Sequence, residues 1–181
     1  MESLKGKLLL ATPALFDPNF RRTVVLVGEH GEEGAMGLVL NRPSPVTVGE
    51  AVPSLGDVVG EDAVVYFGGP VQPEAVLVLA DFEDPGSAAT LVVGDVGFAS
   101  SDGDLALLAE RTRRARVFAG YSGWGPGQLE AELEEESWLV EPAEGHDLFP
   151  SPGDDLFASV LRAKGGTYRL LALMPEDPSR N

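Results

Sequence analysis

Read from its start, the alternation of apolar and polar positions predicts strands before helices. Thr23-Val24-Val25-Leu26-Val27 is a continuous apolar run rich in β-branched residues, the pattern of a strand. Gly31 to Gly34 supplies a turn, and Ala35 to Leu40 reads as the returning strand of a hairpin. Asn41-Arg42-Pro43 ends that strand, because proline cannot donate to a ladder. Ala63 to Phe67 and Ala75 to Ala80 form two more strands around the turn Gly68-Gly69-Pro70, and Thr90–Val93 with Val96–Ala99 forms a second hairpin. Ser101 or Asp102 can then cap a helix from Gly103 to about Arg114, with Leu105, Leu108 and Ala109 on one face. Its acids come first (Asp102, Asp104) and its bases last (Arg111, Arg113, Arg114), as the helix dipole prefers. A strand over Arg116–Tyr121, a short helix over Gly127–Glu136 and a brief strand at Trp138–Val140 follow. Asp154–Lys164 is the best amphipathic helix, closed by Gly165-Gly166, and Tyr168–Leu173 is a final strand. Strands cluster early and helices late, which favours α+β over a regular βαβ repeat.

The chain has the length of a single domain spanning 1–181, with no repeat and no linker. Its complete lack of Cys removes disulfides, thiolate metal sites and thiol nucleophiles together. The first residues lack the apolar run of a signal peptide, and no stretch approaches the ~20 apolar residues of a membrane helix, so the cytoplasm is the expected location. Charge changes the picture more. Thirteen basic residues against 29 acidic ones give a net charge of −16. Between Val117 and Leu161 there is no Lys or Arg, while Glu130, Glu132, Glu134 and other acids crowd the same stretch. Such a surface repels phosphate backbones and argues against nucleic-acid binding. It suits either a solvated face or a docking face for a basic partner.

Candidate chemistry centres on Val117 to Gln128, read as a strand, a glycine-rich turn and then a helix. As a nucleophile elbow it fails, because Trp124 stands where G-x-S-x-G needs its last Gly. As a phosphate cradle it lacks the Lys-Ser/Thr pair, and Glu130 and Glu132 would repel an anion. Two readings remain: the glycines let the backbone turn while Tyr121 and Trp124 pack, or those rings stand exposed as anchors for a partner. His30 follows Glu29 at a strand end, but adjacent strand residues point to opposite faces. With two histidines and no Cys, any metal site would have to be carboxylate-based, and Ser101-Asp102-Gly103-Asp104 lacks the calcium-loop pattern. No cofactor or metal is called for. The basic cluster Arg111, Arg113, Arg114, Arg116 needs no nucleic acid to explain it at a helix C-terminus.

Several stretches together resemble the YqgE/AlgH family of bacterial proteins. They are Gly6–Pro13 followed by Asp17–Val25, Glu29-His30-Gly31 leading through Gly34–Gly37 to Asn41-Arg42-Pro43, then Tyr66–Val71, and Gly120–Glu130. Trp138 and Asp147-Leu148-Phe149 extend the match over about 6–174. The resemblance implies an α+β fold in which a bent, largely antiparallel sheet forms a pseudo-barrel with helices packed on it. It implies bacterial, intracellular proteins without established catalytic residues, one branch of which is described as a transcriptional regulator. No catalytic residue is therefore assigned. The leading expectation is a non-catalytic binding or regulatory protein that works through a protein partner, with Tyr121, Trp124 and Gln128 as candidate contacts. The first alternative is a small-ligand-binding protein or enzyme whose pocket combines His30, Asn41, Arg42 and the Gly68-Gly69-Pro70 turn. The second is a DNA-binding regulator, which the net charge disfavours.

Overall fold

A computed structural model gives the structure of the protein over residues 2–15, 20–100, 104–151 and 153–164. The strand expected at 168–173, the closing glycines at 165–166 and the alternative caps at 101–102 lie outside these described residues.

The strands are β1 (Lys7–Ala11), β2 (Val24–Gly31), β3 (Gly34–Val39), β4 (Pro43–Thr47), β5 (Val64–Phe67), β6 (Val71–Phe82), β7 (Thr90–Val93), β8 (Val96–Phe98), β9 (Thr112–Trp124) and β10 (Trp138–Pro142). The helices are α1 (Val48–Ala51), α2 (Gly56–Val59), α3 (Leu105–Arg111), α4 (Gln128–Glu134) and α5 (Leu156–Lys164). One ten-stranded sheet runs in the order β10-β1-β2-β3-β9-β6-β8-β7, with β5 beside β9 and β4 beside β5. Its pairs are antiparallel except β5 with β9. Strand β9 organises the sheet: β6 follows one edge, while the other edge meets β5 at Phe118–Ala119 and β3 at Ser122–Trp124. The sheet is bent but not closed into a barrel, and the α+β class holds. Val92 and Val96, near its β7 end, pack with Leu8, Leu10, Val24 and Leu26.

The unbroken apolar runs of β1 and β2 have a simple cause: both faces are covered. Leu8, Leu10, Val24 and Leu26 join a cluster with Leu156, Phe157, Val160 and Leu161 of α5. Leu9, Ala11, Val25 and Val27 face the other way, onto Trp124, Leu129 and Trp138. Strands buried on both sides show continuous hydrophobicity rather than alternation.

Four elements were not expected from the sequence: β1, β4, α1 and α2. Pro43 does stop β3 but opens β4, which pairs with β5 alone; proline is tolerated on such an edge. The helix expected to reach Arg114 stops at Arg111, and its cap is Asp104, whose carboxylate accepts from the Ala106 amide at 2.9 Å. Thr112 ends it: its hydroxyl donates to the Leu108 carbonyl at 3.0 Å, satisfying an orphan of the last turn as the backbone becomes extended. Arg113 and Arg114 therefore sit on strand β9, not at a helix terminus.

Candidate functional site

The polar residues that the sequence singles out do not form one pocket. His30 lies near the end of β2, opposite Ala35. The Leu4 amide donates to its Nδ1 at 2.9 Å. That bond requires an unprotonated Nδ1, so the proton sits on Nε2 and is donated to Oε1 of Glu130 on α4. The His30 side chain is almost fully buried, and both ring nitrogens are engaged. Glu29 points away and pairs with Lys5 at 3.7 Å. The hydrogen bond from His30, helped by one from Glu130's own backbone amide, holds the Glu130 carboxyl below its ordinary pKa. An open cavity of about 420 Å³ lies beside the pair, lined by Ser3, Gly31, Glu32 and Gly127 as well. The imidazole is thus a clamp that ties the N-terminal segment, β2 and α4 together, with neither nitrogen left for base catalysis or metal ligation.

Asn41 is at the opposite end of the β2–β3 hairpin. Its Oδ1 accepts from the Val24 amide at 3.0 Å and its Nδ2 donates to the Arg22 carbonyl at 2.9 Å, which extends the ladder past the end of β3. Arg42 donates to the Arg21 carbonyl. The expected pocket of His30, Asn41, Arg42 and the Gly68 turn is assembled only in part: the Phe67 amide donates to the Arg42 carbonyl at 2.8 Å and the Val39 amide to the Gly68 carbonyl at 2.9 Å, which keeps Arg42 beside the glycine turn, whereas His30 lies at the far end of β2.

The two glycine-rich motifs explain one another. The Gly68 amide donates to Ala119 and its carbonyl accepts from Val39, each at 2.9 Å, and from the Ser122 hydroxyl at 3.1 Å. A Cβ on Gly69 would stand 2.2 Å from the Tyr121 carbonyl carbon, and one on Gly120 2.5 Å from the Gly69 carbonyl oxygen. Here backbone lies directly on backbone as β9 changes partner from β5 to β3. Ser122, the would-be nucleophile, is fully buried within β9.

Tyr121 is half-buried against the main core and Trp124 is buried at 6% exposure, so of the two readings the structure supports packing, and the reading of both rings as exposed anchors is corrected. Trp124 stacks on Phe20 and meets Trp138 edge-on at 6.0 Å between ring centroids. Both indoles donate to Oε1 of Glu132, at 3.1 Å from Trp124 and 2.9 Å from Trp138. Gln128 donates to the other oxygen at 3.1 Å and accepts from the Gly125 amide at 2.9 Å. Sequence reasoning gave Glu130 and Glu132 only a repulsive role. The signal was the spacing of Gln128 and Glu132, four apart on one helix and so on one face.

The arginine cluster is equally committed. Arg113 and Arg114 share Asp81 at 2.8 and 3.3 Å, and Arg111 donates to the Ser87 hydroxyl at 3.3 Å. Arg116 lies over the Tyr66 ring at 4.3 Å, and one of its buried guanidinium nitrogens has no hydrogen-bond partner among the described residues. Burial pushes the Tyr66 phenol above its usual pKa and the Arg116 guanidinium below its own. Among the described residues no three His, Asp or Glu side chains are placed to hold a metal ion. No described helix is long and apolar enough to cross a membrane.

A second cavity is apolar. A groove of about 640 Å³ is floored by Val76, Leu77 and Val78 of β6 and walled by Val52 and Leu55 on one side and Leu105 and Leu108 of α3 on another. Val76 is 47% exposed, Leu105 36% and the neighbouring Leu107 42%. The helical spacing of Leu105 and Leu108 marks this face in the sequence, but it reads there as core. The other wall, Val52, Ser54 and Leu55, lies in the connection between α1 and α2, which carries no clear pattern in the sequence.

With this geometry established, comparison with known proteins places the chain among relatives. The family model described as AlgH-like matches residues 8–169. A UPF0301 protein of Streptomyces coelicolor is 44% identical, with 100% of this chain and 97% of the relative covered. A UPF0301 protein of Mycobacterium ulcerans is 40% identical over 97% of this chain and 90% of its own. Among solved structures, a crystal structure of a Corynebacterium diphtheriae protein superposes with a TM-score of 0.87 at 26% identity, covering 95% of this chain and 93% of that one. The solution structure of the AlgH protein from Pseudomonas aeruginosa gives a TM-score of 0.74 at 33% identity, with 97% and 98% covered.

Proposed function

The chain belongs to the AlgH-like family, and from that premise we propose that it is a non-catalytic cytoplasmic binding protein that acts by holding a protein partner in the apolar groove between β6 and α3. One observation carries this reading: exposed Val76 and Leu105 line a concavity, with exposed Leu107 beside it. Contiguous exposed apolar surface around a concave site marks binding regions more often than scattered single side chains do. Covering the two-fifths or so of the Val76 and Leu105 side chains that is exposed contributes roughly 1–2.5 kcal/mol in total, at about 1.5–3 kcal/mol per fully buried side chain. That corresponds to roughly 5- to 70-fold in affinity. The polar candidates support the reading from the other side, since His30, Asn41, Ser122, Gln128 and Glu132 are held by internal hydrogen bonds. Photo-crosslinking tests it. A benzophenone amino acid at Ser54, exposed in the groove wall, is compared in living cells with one at Glu134 on α4. The reading expects a discrete protein adduct from the Ser54 position that the Glu134 position does not give. The same adducts from both positions, or none from either, would overturn it.

A further inference from the structure

Resting on that reading, we infer that the groove accepts the apolar face of a cationic amphipathic helix of its partner. The argument comes from where the cations of this molecule are. From Pro43 to Glu110 the chain has no Lys, Arg or His, and this stretch supplies every residue that lines the groove. The same elements and their connections carry one exposed cation, Arg111 at the end of α3, against six exposed acids, Glu50, Asp57, Glu61, Glu74, Asp104 and Glu110. None of these six acids has a cationic partner among the described residues. Acids elsewhere do: Asp81 pairs with Arg113 and Arg114, Asp155 with Arg22, Glu29 with Lys5 and Glu141 with Lys164. The apolar groove therefore lies in a field of net negative charge, six acids against one cation, which attracts cationic ligands and repels anionic ones.

The floor of the groove favours recognition by side chains over strand addition. Among the described residues β8 pairs with β6 from Leu79 to Asp81, with the Ala99 amide donating to the Val78 carbonyl at 3.0 Å, and the part of β6 before Val78 presents an edge beside Val76. That edge contains Pro73, which has no N–H to offer, next to exposed Glu74, with Gln72 at a positive φ of 45°. Proline and charge are the devices by which sheet edges resist an added strand. A helix that lays leucine-like side chains between α3 and the Val52–Leu55 wall, with Lys or Arg along its flanks, fits both the apolar lining and the acidic surround.

Three synthetic peptides of about 14 residues test this. One has Leu at helical spacing with Lys elsewhere, one is its Leu/Glu counterpart, and one is a scramble of the Leu/Lys sequence. Binding to the full chain is measured by calorimetry at about 0.15 M salt. The Leu/Lys helix should bind at least about tenfold more tightly than the scramble or the Leu/Glu peptide. The Val76→Ser/Leu105→Ser variant should lose about tenfold or more of that affinity with its charge unchanged. Both positions are solvent-exposed, and circular dichroism confirms that the variant is folded. A second variant, Glu61→Gln/Glu74→Gln/Glu110→Gln, keeps the apolar surface and should flatten the salt dependence of binding. Equal binding of helix and scramble, or an unaffected serine variant, would reduce the effect to general charge attraction and overturn the inference. Equal binding of the Leu/Glu peptide would overturn it too. A crosslinked partner that occupied the groove through a neutral or acidic segment would refute this inference alone and leave the partner-binding reading standing.

Discussion

The packing of Gly68-Gly69 on Gly120-Tyr121 makes a quantitative demand on stability. Gly120 has a φ of +72° and Gly94 one of +56°, so alanine at either position incurs the left-handed penalty of about 1–2 kcal/mol. The surroundings differ. A Cβ at Gly94 meets nothing within 4 Å, whereas one at Gly120 meets the Gly69 carbonyl oxygen at 2.5 Å and the Pro73 Cα at 3.1 Å. Those are backbone atoms inside a sheet and cannot rotate away, so the strands must separate. Overpacking of this kind adds about 1–3 kcal/mol. Gly120→Ala should therefore cost roughly 2–5 kcal/mol against 1–2 kcal/mol for Gly94→Ala. Urea unfolding followed by circular dichroism reads the difference directly. At about 2–4 °C per kcal/mol for a chain of this size, Gly120→Ala should also melt several degrees below Gly94→Ala. Equal destabilisation of the two variants, within about 0.5 kcal/mol, would show that the close approach imposes no constraint of its own.

Three further outcomes follow from the buried polar groups. Glu132→Leu removes the acceptor of both indole N–H groups and should cost about 2–6 kcal/mol, at roughly 1–3 kcal/mol for each unsatisfied donor; since the chain has two tryptophans, intrinsic fluorescence should shift with it, and an unchanged spectrum would contradict the contact. Arg116→Met exchanges an incompletely partnered guanidinium for an apolar side chain and should leave stability within about 1 kcal/mol of wild type or raise it; a loss above about 3 kcal/mol in urea unfolding would mean that the charge is paired. Because the Glu130 carboxyl titrates below its ordinary value when folded, its contribution is present above the unfolded pKa and lost as pH falls through the folded one. Glu130→Gln should thus be less stable than wild type at pH 7, by no more than about 1 kcal/mol given partial exposure, and equal to it once both are acidified, as urea titrations at each pH would show.

The strands that the sequence revealed are those bounded by turn residues, such as β5, β7 and β8. Strand β1 is less legible than β2, although both are buried on two faces, because Leu8-Leu9-Leu10 is a short run without the β-branched residues that mark Val24–Val27. Strand β4 was overlooked because Pro43 and Pro45 read as breakers, although on an edge they cost little. The candidate residues were legible as unusual but not as partners. Nothing local to His30 points to Leu4 and Glu130, 26 and 100 residues away. The glycines of 68–69 and 120 each suggest a turn, and only the sheet order shows that they exist for each other. Trp124 looked like an anchor because aromatic residues on glycine-rich turns often are; here β9 continues through it and buries the ring. The groove was the least legible feature, since exposed leucines of a short amphipathic helix have the same periodicity as buried ones.

The most direct test of the account is the affinity of the protein trapped at Ser54, purified and titrated into wild type and Val76→Ser/Leu105→Ser. Removing the exposed apolar parts of these two side chains should weaken binding about tenfold to fiftyfold while the fold and net charge stay the same. Affinities that agree within about twofold would mean that the groove is not where the partner is held, and would contradict the function proposed for it.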